Sequence, residues 1–404
     1  MLLGKFLYFR GTINSNLALM DSFVIETEVE SRYDRHHLID WWQQERLKSA
    51  KVLIAGAGAL GNEVLKNLAL VGVGNITIID FDTVSITNLT RSVLFRESDV
   101  GLPKVEVARQ RALEINPELS IQTIYGDLEF DLSIGDVRKH DIIIGCLDSV
   151  NARWAINQMA YRAGIPWING GLGVGEGEVS FFDPKTEAAC YECSISNAMW
   201  ERRNQRYSCQ GMKRNIPETA MPTTATIASI VGAMQVQQAL LYLHQQPGFL
   251  NPGEKVFLGL NPWMVFKVQI QRQETCIAHD LALEPQVKIG YNSNLTIQQI
   301  LRQIEESGFP EPILSLRKEI ISTMQCLNSE CGYQERVNLP LSRYSESKLA
   351  CPKCHQERSF EVIQNFSLQE CGENLTLGEL CLPENEILHC KTSKGQIAIQ
   401  FCPI

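Results

Sequence analysis

The run Lys51-Val-Leu-Ile-Ala-Gly-Ala-Gly-Ala-Leu-Gly61 constrains the fold more than any other stretch of the chain. Four apolar residues predict a buried strand, and Gly56, Gly58 and Gly61 then turn the chain into a helix. In that geometry bare backbone N–H groups and a helix N-terminus point at a phosphate. About twenty residues on, a second apolar run ends in Ile78-Ile79-Asp80-Phe81-Asp82, and an acid at that distance usually holds a ribose hydroxyl. A bound nucleotide is therefore expected.

The pattern repeats downstream. Strands are predicted over Val52–Ala55, Ile76–Asp80, Ile121–Tyr125 and Ile142–Cys146, and helices over Glu63–Val71, Val105–Asn116 and Asn151–Ala163. Such alternation implies a parallel sheet covered on both faces. Ser31–Asp40 reads as a short polar helix, and Trp167–Gly177 as a glycine-dense segment following a short strand. Residues 194–221 form a long polar segment rich in arginine, and Thr223–Gln245 reads as an apolar helix. Glu178–Phe182, Val256–Leu260 and Val265–Gln271 are further strands, and Asn294–Glu306 is an amphipathic helix. Residues 1–30 show no clear periodicity, and Met1 and Met20 are both candidate starts.

Composition narrows the class. With 404 residues there is room for two or three domains, and a net charge of −9 argues against sequence-independent nucleic-acid binding. The apolar runs read as strand-length, so no membrane span is expected, and no signal peptide is evident. Several of the 13 cysteines fall in tight pairs, which points to a reducing cytoplasm and zinc, not a disulfide framework.

Charge decides which nucleotide. Asn88-Leu-Thr-Arg91 lies just past Asp82, Gly101-Leu-Pro-Lys104 opens the next helix, and Asp148 follows the fourth strand. In an open parallel sheet these strand ends converge at the carboxyl edge. Arginine and lysine there would clamp a triphosphate and stabilise the leaving pyrophosphate, and an aspartate suits Mg²⁺. A nicotinamide cofactor needs none of these, so ATP is expected. The plainer alternatives are surface charges for Arg91 and Lys104 and a helix cap for Asp148.

The set Arg32-Tyr-Asp-Arg35, Gly56-x-Gly-x-x-Gly61, Asp80-Phe-Asp82-Thr-Val, Asn88-x-x-Arg91, Gly101-x-x-Lys104 and Asp148 resembles the ThiF/MoeB/HesA superfamily, which activates ubiquitin-like proteins and sulfur carriers. Ser92 departs from the Gln often found there. The resemblance implies a Rossmann-like, doubly wound, mostly parallel α/β sheet over residues 31–280, with 194–221 as a crossover loop. It also implies adenylation of the C-terminal carboxylate of a protein ending in Gly, and a homodimer in which Arg35 reaches the partner's ATP. Gly56, Gly58 and Gly61 would pack on the phosphates, Asp80 would hold the ribose, and Asp148 would hold Mg²⁺. Asp82 and Asn88 join them as nucleotide-binding candidates. The glycines of Gly170–Gly177 would leave room for the extended tail.

Many members then capture the acyl group on a cysteine. Cys209 lies in the long polar segment among Arg206, Lys213 and Arg214, which would lower its pKa, and it is the expected nucleophile for transfer to a conjugating enzyme. The alternatives are a sulfur-carrier adenylyltransferase without an obligatory thioester and a non-catalytic scaffold. Cys146, on an apolar strand, reads as core.

Cys190-Tyr-Glu-Cys193 is half of a thiolate site. By resemblance Cys276 and His279 complete it, with His where relatives usually carry Cys. Cys326, Cys331, Cys351 and Cys354 have the spacing of a zinc ribbon over 326–354, inside a smaller α+β domain at 281–404. Cys371, Cys381, Cys390 and Cys402 lack pair spacing and read as buried small residues.

Overall fold

A computed structural model describes residues 31–196, 222–280, 284–345, 348–369 and 375–404. The chain divides into two units, Met1–Trp42 and Gln43–Ile404. In the first, the expected polar helix shrinks to one 3-10 turn, His36–Leu38. Ser31–Asp40 carries no apolar stripe at helical spacing, so nothing rewards a longer helix. His36 packs instead against Trp42, with ring centroids 4.4 Å apart.

The second unit opens with helix α1 (Gln44–Ser49) and strand β1 (Lys51–Ala55). It continues through α2 (Ala59–Val71), β2 (Asn75–Asp80), α3 (Lys104–Ile115), β3 (Ser120–Tyr125), α4 (Ile134–Val137), β4 (Ile142–Gly145) and α5 (Val150–Ala163). β5 (Trp167–Leu172) and β6 (Glu176–Phe182) follow, then α6 (Ala225–Leu243), β7 (Glu254–Leu260) and β8 (Trp263–Gln269). These strands form one sheet in the order β3-β2-β1-β4-β5-β6-β7-β8. The first five are parallel and the last three pair antiparallel. The parallel strands are apolar runs because both faces are covered: four of the five β1 residues are buried.

Two boundaries differ from expectation at glycines. α2 begins at Ala59 with Gly58 as its cap, not at Glu63, because Gly61 lies inside the helix where a Cβ would sit 2.0 Å from the Gly56 carbonyl oxygen. Gly170 and Gly177 lie inside β5 and β6. A Cβ on Gly170 would meet Gln235 and Leu60 at 2.6 Å, and one on Gly177 would meet Val231 at 2.4 Å. Those glycines admit the covering helices, and helix side chains fill the space beside them.

Helix α6 is long and apolar enough, by length and composition, to cross a membrane, which corrects the expectation of strand-length apolar runs only. It packs on β5 and α2 with Ile227, Val231, Val236 and Leu240 buried. Its buried Gln235 donates to the carbonyls of Gly145 (2.9 Å) and Ile168 (3.3 Å), which suits a core helix. At the sheet's far edge β8 pairs, among the described residues, with β7 alone, and leaves Trp263, Met264, Val265, Phe266 and Val268 exposed.

A second, smaller sheet has the order β11-β10-β13-β14-β9, with β12 also on β10. Its strands are β9 (Pro285–Gly290), β10 (Ile313–Cys326), β11 (Gln334–Pro340), β12 (Arg358–Phe366), β13 (Ile387–Thr392) and β14 (Gly395–Cys402). Helix α7 (Ile297–Glu306) starts where Thr296 and Gln299 form a reciprocal capping box, and buries Ile297, Ile300, Leu301 and Ile304. Ile387 and Ala398 of this sheet enter the core beneath α5, beside Ile156, Met159 and Trp167. Among the unpaired cysteines Cys390 is buried, but Cys381 is exposed in a turn with φ 50° and Cys402 is half-buried, so these two are not core residues. Cys371 lies outside the described residues.

Candidate functional site

Strand order places the switch point at β1, which has β2 on one side and β4 on the other. The glycine turn sits there. Gly56 adopts φ +100°, donates its N–H to Ile79 O at 2.8 Å, and lies so close to Cys146 that a Cβ would meet that carbonyl oxygen at 2.5 Å. Gly58 differs, because a Cβ there would meet nothing within 4 Å. The turn is therefore closed towards the sheet and open above Gly58.

Asp80 ends β2 and locks this turn. Its Oδ2 accepts the Ala57 N–H at 2.7 Å and its Oδ1 accepts the Asp82 N–H at 2.8 Å. Burial raises its pKa, against the opposing charge of Lys104 and the two backbone donors. Lys104 opens α3 and is nearly buried, with its Nζ 2.7 Å from an Asp82 carboxylate oxygen. The loops before and after it are stitched together: Val84 N donates to Leu102 O and Lys104 N to Asp82 O. Lys104 is thus no surface charge, and its ammonium is held beside both carboxylates.

Arg91 is half-buried and donates to Thr87 O at 2.8 Å. Asn88 spends its Oδ1 on the Ser85 N–H at 2.9 Å, which shapes the loop that carries Arg91. Asp148, three residues past β4, is exposed. Ser149, not Asp148, caps α5 by accepting from Ala152 N. Among the described residues the Asp148 carboxylate has no hydrogen-bond or ion-pair partner, so it is available to a cation. Cys146 is buried and burial pushes its thiol pKa up, as a core cysteine requires. Cys209 lies outside the described residues, and Arg35 is an exposed residue of the Met1–Trp42 unit.

A family model described as ThiF family matches residues 33–276. The chain belongs to the ThiF family. Over 165 residues it is 38% identical to a molybdopterin-synthase adenylyltransferase of Salmonella typhimurium, covering 40% of this chain and 66% of that protein. It is 33% identical over 150 residues to SUMO-activating enzyme subunit 2 of Dictyostelium discoideum, covering 37% of this chain and 22% of that one. Among solved structures, E. coli MccB with AMPCPP and MccA superposes with a TM-score of 0.51 at 26% identity, over 63% of this chain and 75% of MccB. The chain thus spans less than two thirds of the length of either curated relative.

In this ThiF-family chain the paired cysteines come together as two clusters. The ligand atoms of Cys190, Cys193, Cys276 and His279 lie within 4.8 Å of one another, and so do those of Cys326, Cys331, Cys351 and Cys354. In the first, Cys190 Sγ is 3.8 Å from Cys193 Sγ and 3.6 Å from Cys276 Sγ, and Cys193 Sγ is 3.2 Å from His279 Nε2. The second shows Cys326 to Cys354 at 3.4 Å and Cys331 to Cys351 at 3.8 Å. Four thiolates about 2.3 Å from a tetrahedral zinc stand roughly 3.8 Å apart, so both clusters could hold that metal. Hydrogen bonds to Cys193 from Cys190, from the Gln273 N–H and from His279 hold its thiol well below the usual range, the state a ligand needs. His355 stays outside the second cluster.

Sequence reasoning missed Arg153. It sits in the first turn of α5, and its Nη2 donates to Leu147 O at 2.7 Å and Gly170 O at 3.4 Å, pinning the Asp148 loop to β5. Its only sequence signal was a position five residues after Asp148.

Proposed function

We propose that this chain adenylates the C-terminal carboxylate of a ubiquitin-like or sulfur-carrier protein, with ATP as the second substrate. The observation that carries the reading is the meeting of an open glycine turn, a buried lysine and a free aspartate at the carboxyl ends of β1, β2 and β4. In this reading the triphosphate lies over Gly58 and the α2 N-terminus, Asp80 holds the ribose, and Lys104 and Arg91 neutralise the phosphates. Asp148 holds Mg²⁺, and Arg35 comes from a second copy of the chain. A terminal carboxylate oxygen attacks the α-phosphorus, the bond to the bridging oxygen breaks, and pyrophosphate leaves. The carboxylate is a weak nucleophile, so catalysis is positioning plus charge neutralisation. Zinc in the two cysteine clusters is structural, and unpaired thiols suit a reducing cytoplasm.

Transfer of the acyl group to Cys209, with loss of AMP, extends this reading towards conjugation. The name of the Salmonella relative favours the sulfur-carrier variant, in which Cys209 is dispensable. ATP–pyrophosphate exchange with Mg·ATP and a panel of ubiquitin-like proteins ending in Gly tests both. Exchange is expected in the wild type and is lost in Lys104→Met with the fold intact. No exchange with any carrier would overturn the reading in favour of a binding scaffold. Cys209→Ala that exchanges normally but forms no thiol-sensitive adduct supports conjugation. An unchanged sulfur-transfer product supports the rival.

A further inference from the structure

The joint between α5 and β10 holds a cleft of about 40 Å³, lined by Glu129, Ile134, Trp154, Ala155, Gln158, Met159, Arg162, Arg317 and Lys318. It runs along α5 from Trp154 to Arg162, with Arg162 at the end away from the nucleotide crevice. Asp148 and the Ser149 cap stand at one end of α5 and Arg162 at the other, about 20 Å away along fourteen residues.

Three cations border the cleft, and two are committed. Arg317 Nη2 lies 2.6 Å from the buried Glu386 carboxylate and also donates to Leu132 O at 3.1 Å. Lys318 Nζ lies 2.7 Å from Glu129 and over the Phe130 and Trp154 rings. Arg162 has no such acceptor. Among the described residues its guanidinium makes no hydrogen bond or ion pair, and its Nε is buried and unsatisfied. Glu192, the other acid that acts on it, is engaged by the Asn157 and Gln158 amides at 3.0 and 2.6 Å. Burial, then the Arg317 charge, lowers the Arg162 pKa, yet a guanidinium stays charged at neutral pH. A half-buried guanidinium whose inner Nε–H has no acceptor gains from any ligand that supplies one. The wall beside it is apolar: Ile134, Ala155 and Met159.

We infer that this cleft binds a small organic carboxylate, its charged end on Arg162 and its aliphatic part on Ile134, Ala155 and Met159. A planar carboxylate matches the two-pronged guanidinium, and the apolar wall favours an alkyl carboxylate over a fully hydrated oxyanion such as phosphate. The inference is independent of the adenylation reading.

Calorimetric and thermal-shift titrations of the full-length protein with butyrate, acetate and inorganic phosphate test it. Butyrate is expected to saturate at about millimolar concentration, the range open to so small a ligand, and to bind at least tenfold tighter than phosphate. Arg162→Met is expected to lose at least tenfold in butyrate affinity while the ligand-free variant still melts cooperatively. Should that variant fail to fold, Arg162→Gln serves the same comparison. No saturable butyrate binding to the folded wild type, or equal binding by the variant, would overturn the inference. Tighter binding of phosphate would overturn the carboxylate assignment.

Discussion

Gly58 and Gly61 are three positions apart and answer to different constraints. A methyl on Gly61 would sit 2.0 Å from the Gly56 carbonyl oxygen, which only a backbone shift could relieve. Gly61→Ala is therefore expected to cost about 1–3 kcal/mol, read from urea denaturation. A methyl on Gly58 meets no protein atom, and its φ of −72° suits alanine. Gly58→Ala should keep stability within about 0.5 kcal/mol yet weaken ATP binding in calorimetry, because the methyl stands where the phosphate is proposed to lie. Unweakened ATP binding would remove the triphosphate from that turn. The spacing of glycines and acids was legible because each lies within a few residues of a strand end. What each side chain touches was not. Asp80 could be named from its position, but its two backbone donors, Ala57 and Asp82, depend on how the turn folds back.

Elements were legible where one apolar period dominates, as in β1, β2 and α5, and less so where packing decides. The β5 and β6 glycines read only as a glycine-dense segment because the helices that need their missing side chains are α2 and α6, as much as 110 residues away in sequence. Short α4 gave little periodic signal. It is held to β2 by His140, whose ring nitrogens meet Asp136 O at 2.9 Å and Thr77 Oγ1 at 2.8 Å. Burial holds the His140 pKa below the ordinary 6.5, against the opposing pull of Asp136 and its neighbours. The unfolded chain thus binds a proton that the folded chain refuses, so the contribution of this histidine is full above about pH 6.5 and falls as pH drops through its folded pKa. Chemical denaturation between pH 7 and 5 should show stability falling. His140→Gln, which does not titrate there, should flatten the slope; an unchanged slope would assign the acid sensitivity elsewhere.

On the scale of the whole molecule, residues 129–136 fasten the small sheet to the large one. Gly135 N donates to Asn385 O at 3.0 Å, Asn385 Nδ2 to Asp136 at 3.0 Å, and Arg343 meets Asp131 at 2.8 Å. Arg317 and Glu386 are the inner pair, with Glu386 fully buried. Arg317→Met leaves that carboxylate with hydrogen bonds from the Ile134 and Ile387 N–H groups but without its ion-pair partner, and is expected to cost about 3–5 kcal/mol in denaturation. Replacing both partners by apolar residues should restore most of it; a double variant no better than the single would refute the buried-charge explanation. None of this joint was readable beforehand, because its contacts span 69 to 252 positions and no local pattern encodes them. The first cysteine cluster works at similar range. Cys190 and Cys276 stand 86 positions apart in the chain but 3.6 Å apart in space. With a metal gripped there, the polypeptide between them becomes a closed ring clasped at one point. A protease that cut once inside that ring would release nothing: the two pieces would travel together on a native column and part only when the clasp was stripped with a chelator under denaturing conditions.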